Sequence, residues 1–394
     1  MRISLSLSIA TALTGAALVS FSATAAQPLK PLGRQDQAPK RLVALPASSA
    51  AIERAPVSFA WKLDPKADVV ASKAYVAESR EYWETVDGAA LDRGVQVKMS
   101  APGSLIRVSP IAGARGLRSE QLEVLGSDGR AVRMKNIATA EQLKAAGMDF
   151  NTGTLVAKMG DTAGAGDYTL RAPKASGQYL VHVFEPGSER VLRAGTDREH
   201  ALAGDTLRLN VDYANAGRSA KATAEAMLVA PDGRNWPVSM RNAGSGLAAD
   251  VKLPSDVGAT PGLWELQVFA EADGVQRDTR TAFAVAAPTA RFSGNFAFNA
   301  KTMRMALPIQ TGSQGRYEAR GTLFAKAPDG SMRPVSQAHT ANWFKRGNGM
   351  LVLQFDRTHV PAGFGAPFEV RQLELHDQSR MAPLESRESA GRAR

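Results

Sequence analysis

The sequence predicts a mostly β protein built of tandem antiparallel immunoglobulin-like β-sandwiches, with a short helix or two in the first. Three observations predict it. Ala-Pro-Asp-Gly, three variable residues and Pro-Val-Ser occur at Ala230–Ser239 and again at Ala327–Ser336. Asp-Gly pairs beginning at Asp128, Asp232 and Asp329 recur at intervals close to one sandwich of about 100 residues. The pattern Gly-x-aromatic-x-aliphatic-x-Val-Phe opens at Gly177 and returns at Gly262.

The chain begins with a single basic residue, Arg2, an apolar run from Ile3 to Val19, and small residues ahead of Gln27. That order is expected of a secretory signal peptide over residues 1–26. The run is diluted by Ser and Thr, whereas a spanning helix needs about 20 mainly apolar residues. Residues 27–57 are rich in Pro, Ala, Ser, Gln and Lys without a period, which predicts a disordered leader. A helical or irregular segment is expected around Val69–Trp83.

A first, β-rich domain is expected over residues 58–192. Val95, Val97 and Met99 alternate with polar neighbours, and Ser104–Pro110 continues the run, as half-buried strands do. Thr139 and Gln142 have capping-box spacing and Gly147 stands where a helix would stop. This short helix reads as a connection across the sandwich. Further on, Tyr179, Val181 and Val183 form an inward set.

A second sandwich is expected over 194–287, with Trp264, Leu266 and Val268 inward, and a third over 290–377, after a linker at Pro288. Residues 378–394, mixed in charge and poor in apolar side chains, predict a flexible tail. The repeated phrase itself reads as strand-turn-strand. Proline presets φ, Asp tolerates the next turn position, and Gly supplies the left-handed residue that closes a three-residue hairpin. Alternating stretches, Lys221–Val229 and Glu318–Lys326, precede the two turns.

Composition narrows the chemistry. The 394 residues contain no cysteine, which excludes disulfides, thiol catalysis and Cys-ligated zinc. The net charge is +10, but Lys and Arg are interspersed with Asp and Glu. The balance could favour acidic polysaccharide, lipid head groups or nucleic acid, while the bland reading is a solvated basic surface. An exported chain disfavours nucleic acid, and no second apolar stretch suggests a membrane anchor.

Catalytic signatures are weak. None of the five histidines lies at metal-pair spacing from another, and no H-E-x-x-H occurs. His182, between two inward valines, should point outward. Asn242–Ala248 lacks the Gly-x-Ser-x-Gly spacing of a hydrolase elbow. Asp161 and Asp167 read as a Gly-rich turn without the alternating acids of a calcium loop. One cluster suggests ligand contact: Trp343 and Phe344 beside Lys345 and Arg346, which could stack on a sugar ring or grip an anion. The bland reading sends one aromatic into the core and leaves the basic pair on an exposed turn.

Three stretches carry a family resemblance: Glu81–Pro110, Tyr179–Leu207 and Ala366–Arg387. They resemble an uncharacterised family of secreted bacterial proteins, domain of unknown function 4785. The segment from Val229 through Val285 is also similar to immunoglobulin-like modules of exported bacterial proteins. The resemblance implies an exported three-domain β protein and supplies no activity or site residues. The expectation is therefore an exported, soluble, non-enzymatic binding or structural module, periplasmic or extracellular. No cofactor or metal is expected, and its partner would be an envelope polysaccharide or another exported protein. The alternative is a secreted hydrolase whose dispersed catalytic residues meet in the first domain.

Overall fold

Residues 26–48, 51–69, 74–111, 113–258 and 260–393 are described by the computed structural model. The expected signal peptide, apart from Ala26, lies outside the described residues.

Strand alternation sorts the apolar side chains into three separate cores, each between two sheets. In domain 1, strands 81–87, 178–184, 105–110, 155–159 and 134–139 form one sheet and 95–99, 166–171 and 123–125 the other. Ile106, Val108, Tyr179, Val181 and Val183 fill the space between them and are fully buried. Domain 2 packs strands 241–243, 246–252, 206–215, 190–196 and 76–79 on strands 200–202, 275–286, 264–272, 223–229 and 235–238. Its centre is Trp264, Leu266 and Val268, with Trp236 stacked on Trp264 at 5.7 Å. Domain 3 sets strands 295–299, 304–311, 290–292 and 347–354 against a sheet ordered 57–62, 332–344, 315–326, 365–377 and 382–393. Burying each of these large side chains contributes about 1.5–3 kcal/mol relative to exposure.

The three Asp-Gly turns have one geometry. Gly129, Gly233 and Gly330 have φ of 74°, 85° and 83°, the left-handed region that glycine enters without steric cost. Each donates its N–H to the carbonyl three residues back at 2.9 Å, on Gly126, Ala230 and Ala327. Each Asp accepts from the backbone N–H two residues on, in Arg130, Arg234 and Ser331.

Several expectations are corrected. The leader is not disordered where it is described: it runs along domain 3. Gln27–Pro28 pairs with Asn295–Phe296, and Val57–Lys62 pairs with Ser336–Ala341. Between them, Arg316, only 6% exposed, donates Nη1 to the carbonyls of Glu53 and Ala55 at 2.8 and 2.7 Å. Ser313 donates to Val43 O, Arg380 to Pro46 O, and Arg387 to Lys30 O. Composition registers apolar side chains, whereas this segment is held mainly through its backbone, which the leader's own side chains do not announce.

The tail is likewise a strand, Ala382–Ala393. Its charges misled because they are paired: Glu385, nearly buried, meets Arg387 at 2.6 Å and accepts from Phe292 N–H. Around 69–83 there is no helix among the described residues. Val76–Ser79 is a strand of domain 2, Glu81–Asp87 a strand of domain 1, and the helix Gly88–Arg93 follows them. The helix Ala140–Ala145 has its Thr139/Gln142 capping box but does not cross the sandwich. It joins strands 134–139 and 155–159, which pair directly.

The chain therefore visits domain 3, then 2, then 1, and returns through 1, 2 and 3. This shifts the domain limits, because strand 57–62 belongs to the last domain and strands 76–79 and 190–196 to the middle one. The joint between domains 1 and 2 is polar. Glu185 accepts from the N–H groups of Ser100 and Ala101 and from both Ser100 and Ser104 hydroxyls. Arg277 of domain 2 completes its shell.

Candidate functional site

Side chains at alternate positions of a strand share a face, so Phe59 and Trp61 stand together on strand 57–62, at the edge of the larger domain 3 sheet. They are 48% and 40% exposed, large values for aromatic rings. Their rings stack at 5.6 Å and 25°. Register carries the arrangement inward: Phe59 lies opposite His339, His339 opposite Arg320, and Arg320 opposite Glu374. The His339 ring lies 5.2 Å from Phe59 and 4.8 Å from Trp61. Three rings thus form one shelf on the face opposite the core residues Ala319, Ala338 and Leu375.

Polar bonds brace the shelf from behind. His339 Nδ1 meets Glu318 at 2.6 Å, and Gln378 donates to the other Glu318 oxygen at 2.8 Å. The hydrogen bond from His339 is the main reason the Glu318 carboxyl is held below its ordinary range, against the opposing effect of burial. Burial would raise Glu374, but bonds from His376 and Arg320 prevail and lower it. Both carboxylates are therefore ionised near neutrality and engaged by permanent partners. His339 Nε2 is buried without a hydrogen-bond partner among the described residues.

A cavity of about 390 Å³ opens beside the shelf. Ser58, Phe59 and Ala60 line one side, and the turn at Lys301–Met303 and residues Gln354–Arg357 the other. Nearby, Ser336, His359 and Asp356 converge, a grouping reminiscent of a hydrolytic triad. Its geometry is structural. The Ser336 hydroxyl is fully buried and bonds to Trp61 O at 3.2 Å and His359 Nδ1 at 2.9 Å, while Asp356 stands 3.9 Å from His359. Through its bond to Trp61 O, Ser336 helps fasten the edge strand. Among the described residues no group of three or more His, Asp or Glu could hold a metal ion.

The same aromatic-His-Arg row occurs in domain 1. Trp83 lies opposite His182, which lies opposite Arg107. His182 points outward as expected and meets Glu81 at 2.9 Å. Here the row is covered: Arg280 of domain 2 lies 4.8 Å over the Trp83 ring, and Asp278 accepts from Trp83 N–H. In domain 1 the row serves the joint; in domain 3 it faces solvent.

Trp343, Phe344, Lys345 and Arg346 do not make one surface. As consecutive strand residues Trp343 and Phe344 point to opposite faces. Phe344 packs on the core near Tyr317 at 6.5 Å, and Trp343 is covered by the Arg54 guanidinium of the leader at 4.5 Å. Lys345 and Arg346 are exposed at the turn. Asp161 and Asp167 also separate, to Lys135 at 3.0 Å and Lys98 at 4.0 Å.

Comparison with known proteins identifies two domains of one family in the chain. Residues 48–185 match the N-terminal domain of DUF4785, a domain of unknown function, and residues 289–391 match its C-terminal domain. The chain belongs to the DUF4785 family. A DUF4785 family protein from Legionella pneumophila subsp. pneumophila str. Philadelphia 1, known from a crystal structure, is similar in fold. Its TM-score is 0.69 at 19% identity, over 90% of this chain and 98% of that one. Titin domains A168–A170 cover 79% of this chain and 98% of their own at 9% identity, with a TM-score of 0.20. A search of curated proteins finds no match. DUF4785 membership thus brings a mostly β, multidomain fold without an assigned reaction, and no helix among the described residues is long and apolar enough to cross a membrane.

Proposed function

We propose that this chain is an exported, non-catalytic binding protein that takes a glycan on the Phe59–Trp61 shelf of domain 3. One observation carries the reading: two aromatic rings, 48% and 40% exposed, are stacked on each other at a sheet edge against the His339 ring and its Glu318 brace. Exposed aromatic rings held in a fixed stack suit the C–H groups of a pyranose, and binding sites combine such apolar walls with a few placed polar groups. The acids near the shelf are tied to His and Arg partners, which favours holding a ligand over moving protons. Export rests on the sequence pattern of residues 1–26.

The test is a glycan-array screen of the chain from Gln27, followed by titration of the best ligand. Phe59→Ala and Trp61→Ala should each weaken binding about tenfold or more, the scale expected of aromatic anchors. Both variants should keep the wild-type melting profile of domain 3. Undiminished binding by the double variant would remove the shelf from consideration.

A further inference from the structure

The groove beside the shelf is charged in a way that a neutral sugar does not require. Its floor is Met303 and Phe355, both 1% exposed, and its rim carries the exposed Lys301 and Arg357. Arg357 Nη2 donates to Ala300 O, which holds the guanidinium beside the turn with its remaining N–H groups free of other protein bonds among those described. Asn299 accepts from the Lys301 and Thr302 N–H groups at 3.0 Å, and Gln354 donates to Thr302 O at 2.9 Å, so the turn is braced before any ligand arrives. The Lys301 ammonium makes no ion pair among the described residues.

The single acid of the groove, Asp356, is already used. Its Oδ1 accepts from Thr358 N–H at 2.8 Å and Thr358 Oγ1 at 2.7 Å, and its other oxygen lies nearest His359. Those bonds from Thr358 hold its carboxyl below the ordinary range. Two cations against one committed carboxylate leave the rim net positive, within a chain whose overall charge is +10. Phe59 belongs to both the groove lining and the shelf, so the two sites adjoin at the edge strand 57–62.

We propose that this groove is an anion subsite and that the saccharide on the shelf is acidic, its carboxylate received by Arg357 and Lys301. The proposal rests on the glycan reading above and narrows it to uronic-acid saccharides. A guanidinium offers a carboxylate paired, charge-assisted hydrogen bonds, and the ammonium adds a second positive charge without competing for the same geometry.

Calorimetric titration at physiological salt tests it, with an oligogalacturonate and its carboxyl-reduced counterpart as probes. The acidic probe should bind about tenfold or more tightly than the reduced one, as one charged hydrogen bond implies. Lys301→Ala with Arg357→Ala should erase that difference and leave the reduced probe unaffected. Lys301→Ala alone, a change in a solvent-exposed side chain, should act in the same direction if the Arg357 change loosens the turn. Lys345→Ala with Arg346→Ala removes equal charge from another turn and should change nothing. Equal affinity for both probes overturns the anion subsite while leaving the shelf intact, provided Trp61→Ala still weakens binding of both. An equal loss in the control variant overturns it too, since diffuse charge would then account for the preference. No binding of either probe by the wild-type chain removes the shelf and the subsite together.

Discussion

Glu185 of domain 1 and Arg277 of domain 2 meet at 2.5 Å with neither side chain exposed. Arg277 Nη2 also reaches Ser100 and Ser188, and its Nε donates to Arg190 O. Removing one partner of such a pair strands a buried charge, at a cost of about 3–5 kcal/mol. Arg277→Met should lower stability by that amount in urea denaturation and split the unfolding of domains 1 and 2 into separate transitions. Arg277→Met with Glu185→Leu should recover a substantial part, because no unpaired charge remains. A loss of less than about 1 kcal/mol in the single variant would mark the pair as dispensable.

Asp278 gives this joint a pH dependence. Burial is the main cause that pushes its carboxyl up to about 6, against the lowering bond from Trp83 N–H. The folded chain then holds a proton that the unfolded chain gives up near the ordinary value of 3.8. Its contribution to stability is full below that value and fades as pH rises through about 6. Asp278→Asn keeps an acceptor for Trp83 N–H without the charge. Relative to wild type, its melting temperature should therefore rise between pH 4 and 7, with a flatter slope. Parallel pH profiles for the two proteins would exclude Asp278 as the source.

Gly312 sets how closely the leader approaches domain 3. A Cβ there would stand 2.6 Å from Val43 O and 2.9 Å from the Leu42 side chain. Gly312→Ala should push the leader away around Val43 and break the Ser313 contacts to Val43 and Leu45. Limited proteolysis should then cleave between residues 40 and 48 well before the wild type, while the domain 3 core persists. Equal cleavage rates would mean that the backbone absorbs the extra methyl group.

Much of the fold was legible because its signals are local. Asp232, Gly233 and their counterparts set turn geometry within four residues, and Tyr179, Val181 and Val183 declare a buried face by alternation alone. The leader and the last strand were misread because their stability is borrowed. Arg316 and Arg387, far along the sequence, satisfy carbonyls whose own residues are polar or small. The shelf was missed for a related reason. Val-Ser-Phe-Ala-Trp-Lys alternates visibly, but the value of Phe59 and Trp61 depends on His339, which strand register alone brings beside them. Trp343 and Phe344 drew notice as neighbours in sequence, and strand geometry separates neighbours.

The return path of the chain also has a mechanical meaning. Lys30 N–H donates to Ala390 O at 3.0 Å, so the first and last described stretches lie side by side on domain 3. Tension applied between those two stretches falls first on the bonds that hold them to this one domain. Domains 1 and 2 occupy the slack loop between the two clamped points. They carry no load until the clasp has opened.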